Sequence, residues 1–136
     1  GLSRKTMKEH VVKSALEGIV YRCKDVLIAM KIDSDLNISS LKVDGGTSRN
    51  NFLLQFMADM LNIKIERSKI LEGTALGAAY LAGLASGYWE SKDEMIKRRK
   101  VDRIFEPCMG EKKRRRLYEG WEEAIERSFG WGHHSL

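Results

Sequence analysis

The chain has 136 residues, of which 43% are hydrophobic, 8% aromatic and 32% charged, with one proline and two cysteines. This composition excludes a low-complexity or disordered chain, and two cysteines exclude a disulfide framework. The sequence contains neither an apolar run near the ~20 residues of a membrane-spanning helix nor the apolar core of a secretory signal. We therefore expect a reduced, cytoplasmic protein without a membrane partner.

The net charge of +5 is concentrated in one segment. Residues 97–116 contain ten basic and three acidic residues, a net charge of +7, and the remaining 14 basic and 16 acidic residues give −2. The run Lys112–Arg116 could contact phosphates or an acidic partner, but no aromatic residues alternate with its charges. We interpret it as the solvated first turn of a helix and expect no nucleic-acid partner.

The first thirty residues predict one long amphipathic helix. Between Thr6 and Met30, apolar residues recur every three or four positions. Thr6 and Glu9 have the spacing of a capping box that would begin this helix. The main apolar stripe consists of Met7, Val11, Ala15, Ile19, Cys23, Val26 and Met30, and it is widened by Val12, Leu16, Val20 and Leu27.

The next segment predicts a strand, a helix and a second strand. Leu41–Val43 alternates like a strand and leads directly into a Gly-Gly pair. A helix should begin near Ser48 or Asn50 and end near Asn62, and Ile63–Glu66 alternates like another strand. The apolar face of this helix is formed by Phe52, Leu53, Phe56, Met57, Met60 and Leu61.

A helix rich in glycine and alanine is predicted for Gly73–Gly87. Glycine inside a helix costs ~1 kcal/mol relative to alanine, so Gly77 and Gly83 indicate a close approach of backbones. We therefore expect this helix to be the most buried in the fold. A short helix, an extended stretch to Pro107 and a last helix from about Glu111 to Phe129 complete the chain.

The alternation of helices and strands predicts an α/β fold, with a small sheet of two or three short strands covered by helices. No internal repeat and no Pro/Gly/Ser-rich linker divides the chain. We therefore expect residues 1–136 to form a single domain, within which residues 97–136 are the basic segment and the terminal helix.

We identify no catalytic or metal-ligating constellation in the sequence. Asp33–Asn37 begins like a calcium-binding loop, but Ile38 stands where that loop requires glycine. Cys23 and Cys108 have no CxxC pattern or histidine at metal-ligand spacing. No Ser/His/Asp or Cys/His arrangement and no paired carboxylates stand out.

The strongest candidate site is Val43–Asn51, where a predicted strand ends in Gly45 and Gly46 and turns directly into a helix. Glycines let backbone N–H groups meet a ligand without an intervening Cβ, and a helix N-terminus favours an anion. The spacing matches neither GxGxxG nor the P-loop pattern. On the residues alone, an anionic or nucleotide ligand and an ordinary tight turn both remain open.

Two stretches resemble a known family. LKVDGGTSRNNFLLQFMADML at residues 41–61 and GTALGAAYLAGLASGYW at residues 73–89 are similar to the C-terminal region of the FGGY carbohydrate kinases, in particular those that phosphorylate glycerol. The first helix and YEGWEEAIERSFGW at residues 118–131 are also similar, so the resemblance covers nearly the whole chain and about the last quarter of a kinase. It implies the ribonuclease H-like fold shared by sugar kinases, actin and heat-shock chaperones.

The resemblance also implies the function and the site residues. The expected activity is ATP-dependent phosphoryl transfer to glycerol with Mg, giving glycerol 3-phosphate, in a homo-oligomeric parent enzyme. The family's second turn glycine falls on Gly46 and its asparagine on Asn50, both of which contact the nucleotide there, and Gly45 belongs to the same turn. The family's first phosphate loop, glycerol-binding residues and catalytic aspartate fall before Gly1. We therefore assign no catalytic residue and expect the chain alone to be inactive.

Two alternatives remain open. One is another polyol or sugar kinase of the same family, because Thr47–Arg49 replaces smaller residues and Ser68 stands where proline is common. The other is a non-catalytic binding or scaffold protein that kept the fold and docks an acidic partner through its basic segment.

Overall fold

The fold combines a small mixed sheet with flanking helices. The computed structural model describes residues 2–34 and 37–130. In chain order the elements are α1 (Lys8–Ser34), β1 (Ser40–Val43), a 3-10 helix (Gly46–Arg49), α2 (Asn51–Leu61), β2 (Lys64–Ser68), α3 (Gly73–Ala85), α4 (Lys92–Arg98), β3 (Val101–Phe105) and α5 (Glu111–Glu126). The predicted α/β alternation is confirmed, and the extended stretch before Pro107 supplies a third strand. Within the described residues, no helix is both long and apolar enough to cross a membrane.

The sheet has the order β1-β2-β3. β1 and β2 are parallel with Leu41 opposite Ile65, whereas β3 is antiparallel to β2 with Phe105 opposite Ile65. Parallel neighbours need a crossover connection, and α2 provides it. The carboxyl ends of β1 and β2 therefore meet at one edge, where Val43 is paired with Arg67. The Gly-Gly turn leaves the sheet at this edge.

The hydrophobic core lies between the sheet, α2 and the inner faces of α1 and α5. Tyr21 stacks on Trp121 with ring centroids 5.3 Å apart, and it meets Phe56 edge-on at 5.6 Å. Most of the predicted α2 face is buried, although Phe52 is 44% exposed. The buried hydrophobic residues are Val20, Tyr21, Leu53, Leu54, Phe56, Met57, Ala58, Met60, Ile65 and Phe105.

The start of α1 differs from the predicted capping box. The helix begins at Lys8, and the hydroxyl of Thr6 accepts a hydrogen bond from the N–H of Ser3 at 2.9 Å. The N–H of Met7 donates to Nδ1 of His10 at 3.0 Å. The predicted capping box is therefore wrong, because the Thr6 hydroxyl bonds a backbone N–H before the helix and the side chain that accepts an N–H at the helix start is His10.

The buried stripe of α1 also differs from the predicted one. Val20 is fully buried, and Leu16 and Cys23 pack against the core. The other members of the predicted main stripe that remain largely exposed are Met7, Val11, Ile19, Val26 and Met30. The main stripe and the residues that widen it both recur every three or four positions. This spacing therefore cannot indicate which of the two stripes α2 and α5 cover.

A carboxylate on α1 holds α5 in place. Asp25 accepts hydrogen bonds from the Tyr118 hydroxyl at 2.7 Å and from the indole N–H of Trp121 at 3.2 Å. The Lys24 ammonium lies 3.8 Å from the centroid of the Tyr118 ring. Burial, the hydrogen bond to Asp25 and the carboxylates of Asp25 and Glu122 raise the pKa of the Tyr118 phenol. The face of α5 that carries Tyr118 and Trp121 therefore contacts α1, whereas Phe129, the predicted end of this helix, lies beyond α5 and is 75% exposed.

The prediction that the Gly73–Gly87 helix is the most buried is wrong. No residue of α3 is buried within the part of the chain that the structure describes. A Cβ at Gly77 would meet no atom within 4 Å, so the expected close approach is absent there. A Cβ at Gly83 would overlap the indole ring of Trp89, so a side chain, and not the expected second backbone, lies close to this glycine. Small residues permit a neighbouring element to pack closely against a helix, but they do not indicate which element that is or whether one is present.

Most of the described basic side chains of residues 97–116 are exposed, as expected, but two have structural roles. Arg99 forms an ion pair with Glu66 at 2.8 Å, and each side chain is 23% exposed. Arg114 donates to the carbonyl oxygens of Asp59 at 2.5 Å and Met109 at 2.8 Å. The first turn of α5 is therefore not entirely solvated, because Arg114 ties it to the end of α2.

Candidate functional site

The turn after β1 has a conformation that requires glycine at one position. Gly45 has φ 83° and ψ 171°, a region that residues with a Cβ rarely adopt. Its N–H donates to the carbonyl of Leu71 at 2.9 Å. Its carbonyl accepts hydrogen bonds from the N–H of Ser48 at 3.2 Å and from the Ser48 hydroxyl at 2.7 Å. Ser48 is buried, so the inner side of the turn is closed by its own hydrogen bonds.

Gly46 differs from Gly45 in exposure and backbone conformation. It is exposed, and a Cβ at this position would meet no atom of the protein within 4 Å. It is also the first residue of the 3-10 helix, where an N–H has no intrahelical acceptor. Neither a positive φ nor internal packing therefore requires glycine at Gly46, in contrast to Gly45.

Asn50 joins the 3-10 helix to α2. Its Oδ1 accepts a hydrogen bond from the N–H of Leu53 at 3.1 Å, which makes Asn50 the N-cap of α2. The residue is exposed, and its N–H donates to the carbonyl of Thr47 at 3.2 Å. The oxygen already accepts the cap bond, and the Nδ2 group of the same amide can donate hydrogen bonds to a ligand. The structure thus places Gly45, Gly46 and Asn50 in one turn at the carboxyl edge of the sheet.

Asp44 fixes the turn on the side of α3. A Cβ at Gly73 would overlap the Asp44 carboxylate, so glycine at the start of α3 is what allows this carboxylate to lie there. A negative charge at a helix N-terminus is favourable because the first N–H groups point towards it. With the Gly45–Leu71 hydrogen bond, this contact joins the turn to the loop before α3.

Arg67 fixes the turn on its other side and was missed by the sequence reasoning. Its Nη1 donates to the Ser48 carbonyl at 3.1 Å and to Asn51 Oδ1 at 2.8 Å. Its Nε donates to Asp102 Oδ2 at 2.6 Å. The predicted second strand ended at Glu66, and no local pattern marks an arginine whose partners lie 16 to 35 residues away.

A cleft of about 570 Å³ lies next to the turn between α3 and α4. Its lining includes Asp44, Gly77 and the apolar side chains of Leu76, Leu81 and Ile96. Gly45, Gly46 and Asn50 are not among the residues that line it. Asp44, the residue before Gly45, is the part of the chain that this cleft and the turn share.

Comparison with known proteins decides the family. The family pattern of the C-terminal domain of FGGY carbohydrate kinases matches residues 1–86. The chain belongs to the FGGY family of carbohydrate kinases. It is 54% identical over 131 residues to the glycerol kinase of Desulforamulus reducens and 50% identical over 131 residues to glycerol kinase 2 of Thermotoga maritima. Each match covers 96% of this chain and 26% of the relative, so the chain spans about a quarter of their length.

Solved structures of FGGY kinases share the fold. The chain matches the Plasmodium falciparum glycerol kinase with ADP at a TM-score of 0.83 and 36% identity, over 95% of this chain and 26% of that one. It matches the gluconate kinase of Lactobacillus acidophilus at a TM-score of 0.80 and 21% identity, over 99% of this chain and 28% of that one. The second likeness concerns the fold alone. The predicted family and α/β fold class are both confirmed.

Proposed function

We propose that this chain is the C-terminal, nucleotide-side portion of a kinase that transfers a phosphoryl group from ATP to glycerol, giving glycerol 3-phosphate. The observation that carries the proposal is the exposed Gly46 next to Asn50, at the end of a parallel strand, in a chain 54% identical to a glycerol kinase. In this proposal the turn binds the nucleotide and the rest of the kinase binds glycerol.

Each residue of the turn has a separate part in this proposal. Gly45 gives the backbone its positive φ, and Gly46 allows the nucleotide to approach the backbone closely because it has no Cβ. Asn50 donates a hydrogen bond from Nδ2 while its oxygen keeps the cap of α2. The N-terminus of α2 adds a partial positive charge that favours an anionic ligand.

The turn fits a nucleotide better than a metal ion. It offers backbone N–H groups, an amide and an open face, all of which suit a nucleotide. Among the described residues, no three histidine, cysteine, aspartate or glutamate side chains lie together as metal ligands. We therefore assign Mg to the phosphates of ATP rather than to a site made by this chain. The chemistry that Mg–ATP supplies when bound is in-line phosphoryl transfer, which depends mainly on placement and charge stabilisation.

The chain alone is expected to be inactive. The matched relatives are about four times as long, and the acceptor site and catalytic base belong, in this proposal, to the part that the chain does not span. The proposal also includes a cytoplasmic, homo-oligomeric parent enzyme. Glycerol-dependent ADP formation by the purified chain, free of host kinase, would contradict this assignment of roles.

Kinetics of the complete kinase test the site. Gly46→Ala should raise the KM for ATP about tenfold, because its Cβ occupies the ligand's side of the turn and would leave ligand groups unpaired at ~1–3 kcal/mol. The KM for glycerol and the melting temperature should stay unchanged, since that Cβ meets no protein atom. Gly45→Ala is the matched control and should lower the melting temperature, because φ is 83° there. An unchanged KM for ATP, or a loss confined to glycerol, would refute the assignment.

Another sugar or polyol kinase is the second candidate, and the fold shared with a gluconate kinase is the observation in its favour. A panel of acceptors with the complete kinase separates the two. Glycerol should give the highest kcat/KM. If a five- or six-carbon sugar or sugar acid gives a higher value, that compound is the acceptor and the assignment of glycerol is wrong.

A further inference from the structure

A half-buried arginine connects the candidate nucleotide turn to the rest of the sheet. The Arg67 side chain is 14% exposed and lies at the end of β2, opposite Val43 of β1. Its guanidinium donates to Asp102 on β3, to the Ser48 carbonyl and to the side chain of Asn51. These partners come from two separate segments of the chain, β3 and the stretch that joins the 3-10 helix to α2.

The partners of Arg67 on the turn side flank Asn50 on both sides. The Ser48 carbonyl is 3.1 Å from Nη1, the Arg49 carbonyl 3.5 Å and Asn51 Oδ1 2.8 Å. Among the described residues, the hydrogen-bond acceptors of Arg67 belong to Ser48, Arg49, Asn51 and Asp102 and not to Asn50. The arginine therefore holds the residues before and after Asn50 and leaves the Asn50 amide available.

The opposite end of the guanidinium is anchored by a carboxylate. Nε donates to Asp102 at 2.6 Å, and the guanidinium carbon lies 5.6 Å from the centroid of the Phe105 ring. A planar guanidinium can bridge these groups because its donors point in fixed directions, whereas an ammonium is a single point charge. A lysine at this position could satisfy one side of the bridge but not both.

We infer that Arg67 is a positioning residue that sets the place of Asn50 and the start of α2 for nucleotide binding. The inference rests on the proposed function, since it assigns the nucleotide to this turn. Arg67 does not touch the ligand in this account. It acts through Ser48, Arg49 and Asn51, and its loss would let the turn adopt conformations in which Asn50 no longer faces the nucleotide.

The test compares three variants of the complete kinase with a matched control. Arg67→Met keeps a similar length without any donor, Arg67→Lys keeps the charge, and Asp102→Asn keeps the arginine but weakens its anchor. Arg99→Met is the control, because it breaks the Arg99–Glu66 ion pair, which also involves β2 and does not touch the turn. Melting temperature, KM for ATP, KM for glycerol and the Kd of ADP by calorimetry are measured for each.

Arg67→Met should raise the KM for ATP and the Kd of ADP about 5- to 10-fold, with less than a twofold change for glycerol. Arg67→Lys should recover only part of this loss, and Asp102→Asn should cause a smaller, two- to threefold change. Arg99→Met should lower the melting temperature and leave both KM values unchanged. If Arg67→Met does not fold, the Asp102→Asn and Arg67→Lys variants decide the question by the same readouts.

Two results overturn the inference. One is an unchanged Kd of ADP in the Arg67 and Asp102 variants, and the other is an equal loss for ATP and glycerol that Arg99→Met reproduces. Failure of the proposed function looks different. If the unaltered kinase binds ADP but does not phosphorylate glycerol, the acceptor is wrong, while the ADP affinities still decide the role of Arg67.

Discussion

Asn50 combines two roles on two atoms, and substitutions can separate them. Its Oδ1 accepts the N–H of Leu53 at 3.1 Å and caps α2, and in our proposal its Nδ2 donates to the nucleotide. Asn50→Ala removes both atoms. Asn50→Asp keeps an acceptor at the cap and removes the donor. Both variants should therefore bind the nucleotide more weakly, Asn50→Asp at least as weakly as Asn50→Ala because its carboxylate also repels an anionic ligand, and the two should differ in stability.

The size of each effect follows from the contacts. Loss of an N-cap side chain costs ~1 kcal/mol, which corresponds to about 3–4 °C in melting temperature for a chain of this size. Asn50→Asp should be within ~0.5 kcal/mol of the unaltered protein or slightly more stable, because a carboxylate at a helix N-terminus interacts favourably with its dipole. An unpaired polar group on the ligand costs ~1–3 kcal/mol, so both variants should bind ADP roughly 5- to 150-fold more weakly.

The assay has two parts. Urea unfolding of this chain gives the free energy of unfolding, and calorimetry on the complete kinase gives the Kd of ADP. Asn50→Ser serves as a control that keeps a capping oxygen with a shorter side chain. An ADP affinity in Asn50→Asp equal to that of the unaltered kinase would refute a donor role for Nδ2. A stability loss in Asn50→Ala with normal ADP affinity would reduce Asn50 to a structural cap.

Three further predictions concern other parts of the chain. Gly77→Ala should stabilise the chain by up to ~1 kcal/mol, because alanine has the higher helix propensity and its Cβ meets no atom. Gly83→Ala should destabilise the chain, because the new Cβ overlaps the indole ring of Trp89, and equal unfolding midpoints of the two variants would contradict both expectations. The raised pKa of Tyr118 means that its contribution to stability is present below about pH 10, the ordinary phenol value, and is lost as the pH rises further. Unfolding free energies from pH 8 to 11.5 should fall less steeply in Tyr118→Phe, and parallel curves would refute the role of the bond to Asp25. The segment 97–116 should bind mixed-sequence DNA weakly, and this binding should disappear when salt is added. Sub-micromolar, sequence-selective binding at physiological salt would contradict its assignment as a solvated surface.

The elements that the sequence predicted best are those with local signals. The strand before the glycine pair and the helix capped by Asn50 appear within a few residues of the expected positions. A cap, a β-alternation and a glycine with positive φ each depend on neighbours along the chain, so a short stretch of sequence contains what is needed. The same applies to the end of α2, where Asn62 adopts φ 56°.

The errors concern surfaces whose partners are distant in sequence. The apolar stripe of α1 and the small residues of α3 show that each helix has a face suited to packing. They do not show which other element, if any, covers that face in the folded chain. Leu16 and Val20 are covered because α2 and α5 lie over them, which the period of α1 cannot show. The stability of such faces is decided by tertiary contacts, and propensity is a weak guide to them.

The geometry of the candidate site depends on residues outside the segment that defines the family. That segment ends at residue 86, but Asp102 and Phe105 on β3 hold the guanidinium that braces the turn. The turn is thus fixed by Leu71 and Gly73 on one side and by β3, through Arg67, on the other. A turn restrained from both sides needs little reordering when a ligand arrives, so more of the contact energy remains as affinity. Arg103 lies opposite Arg67, but Val101 rather than Asp102 lies opposite Ser68, so the pairing of β2 and β3 is irregular at this point. A β-bulge of this kind can redirect a side chain, and here the Asp102 carboxylate meets Nε of Arg67. In our proposal this irregularity therefore affects nucleotide binding, because it brings Asp102 to the arginine that holds the turn.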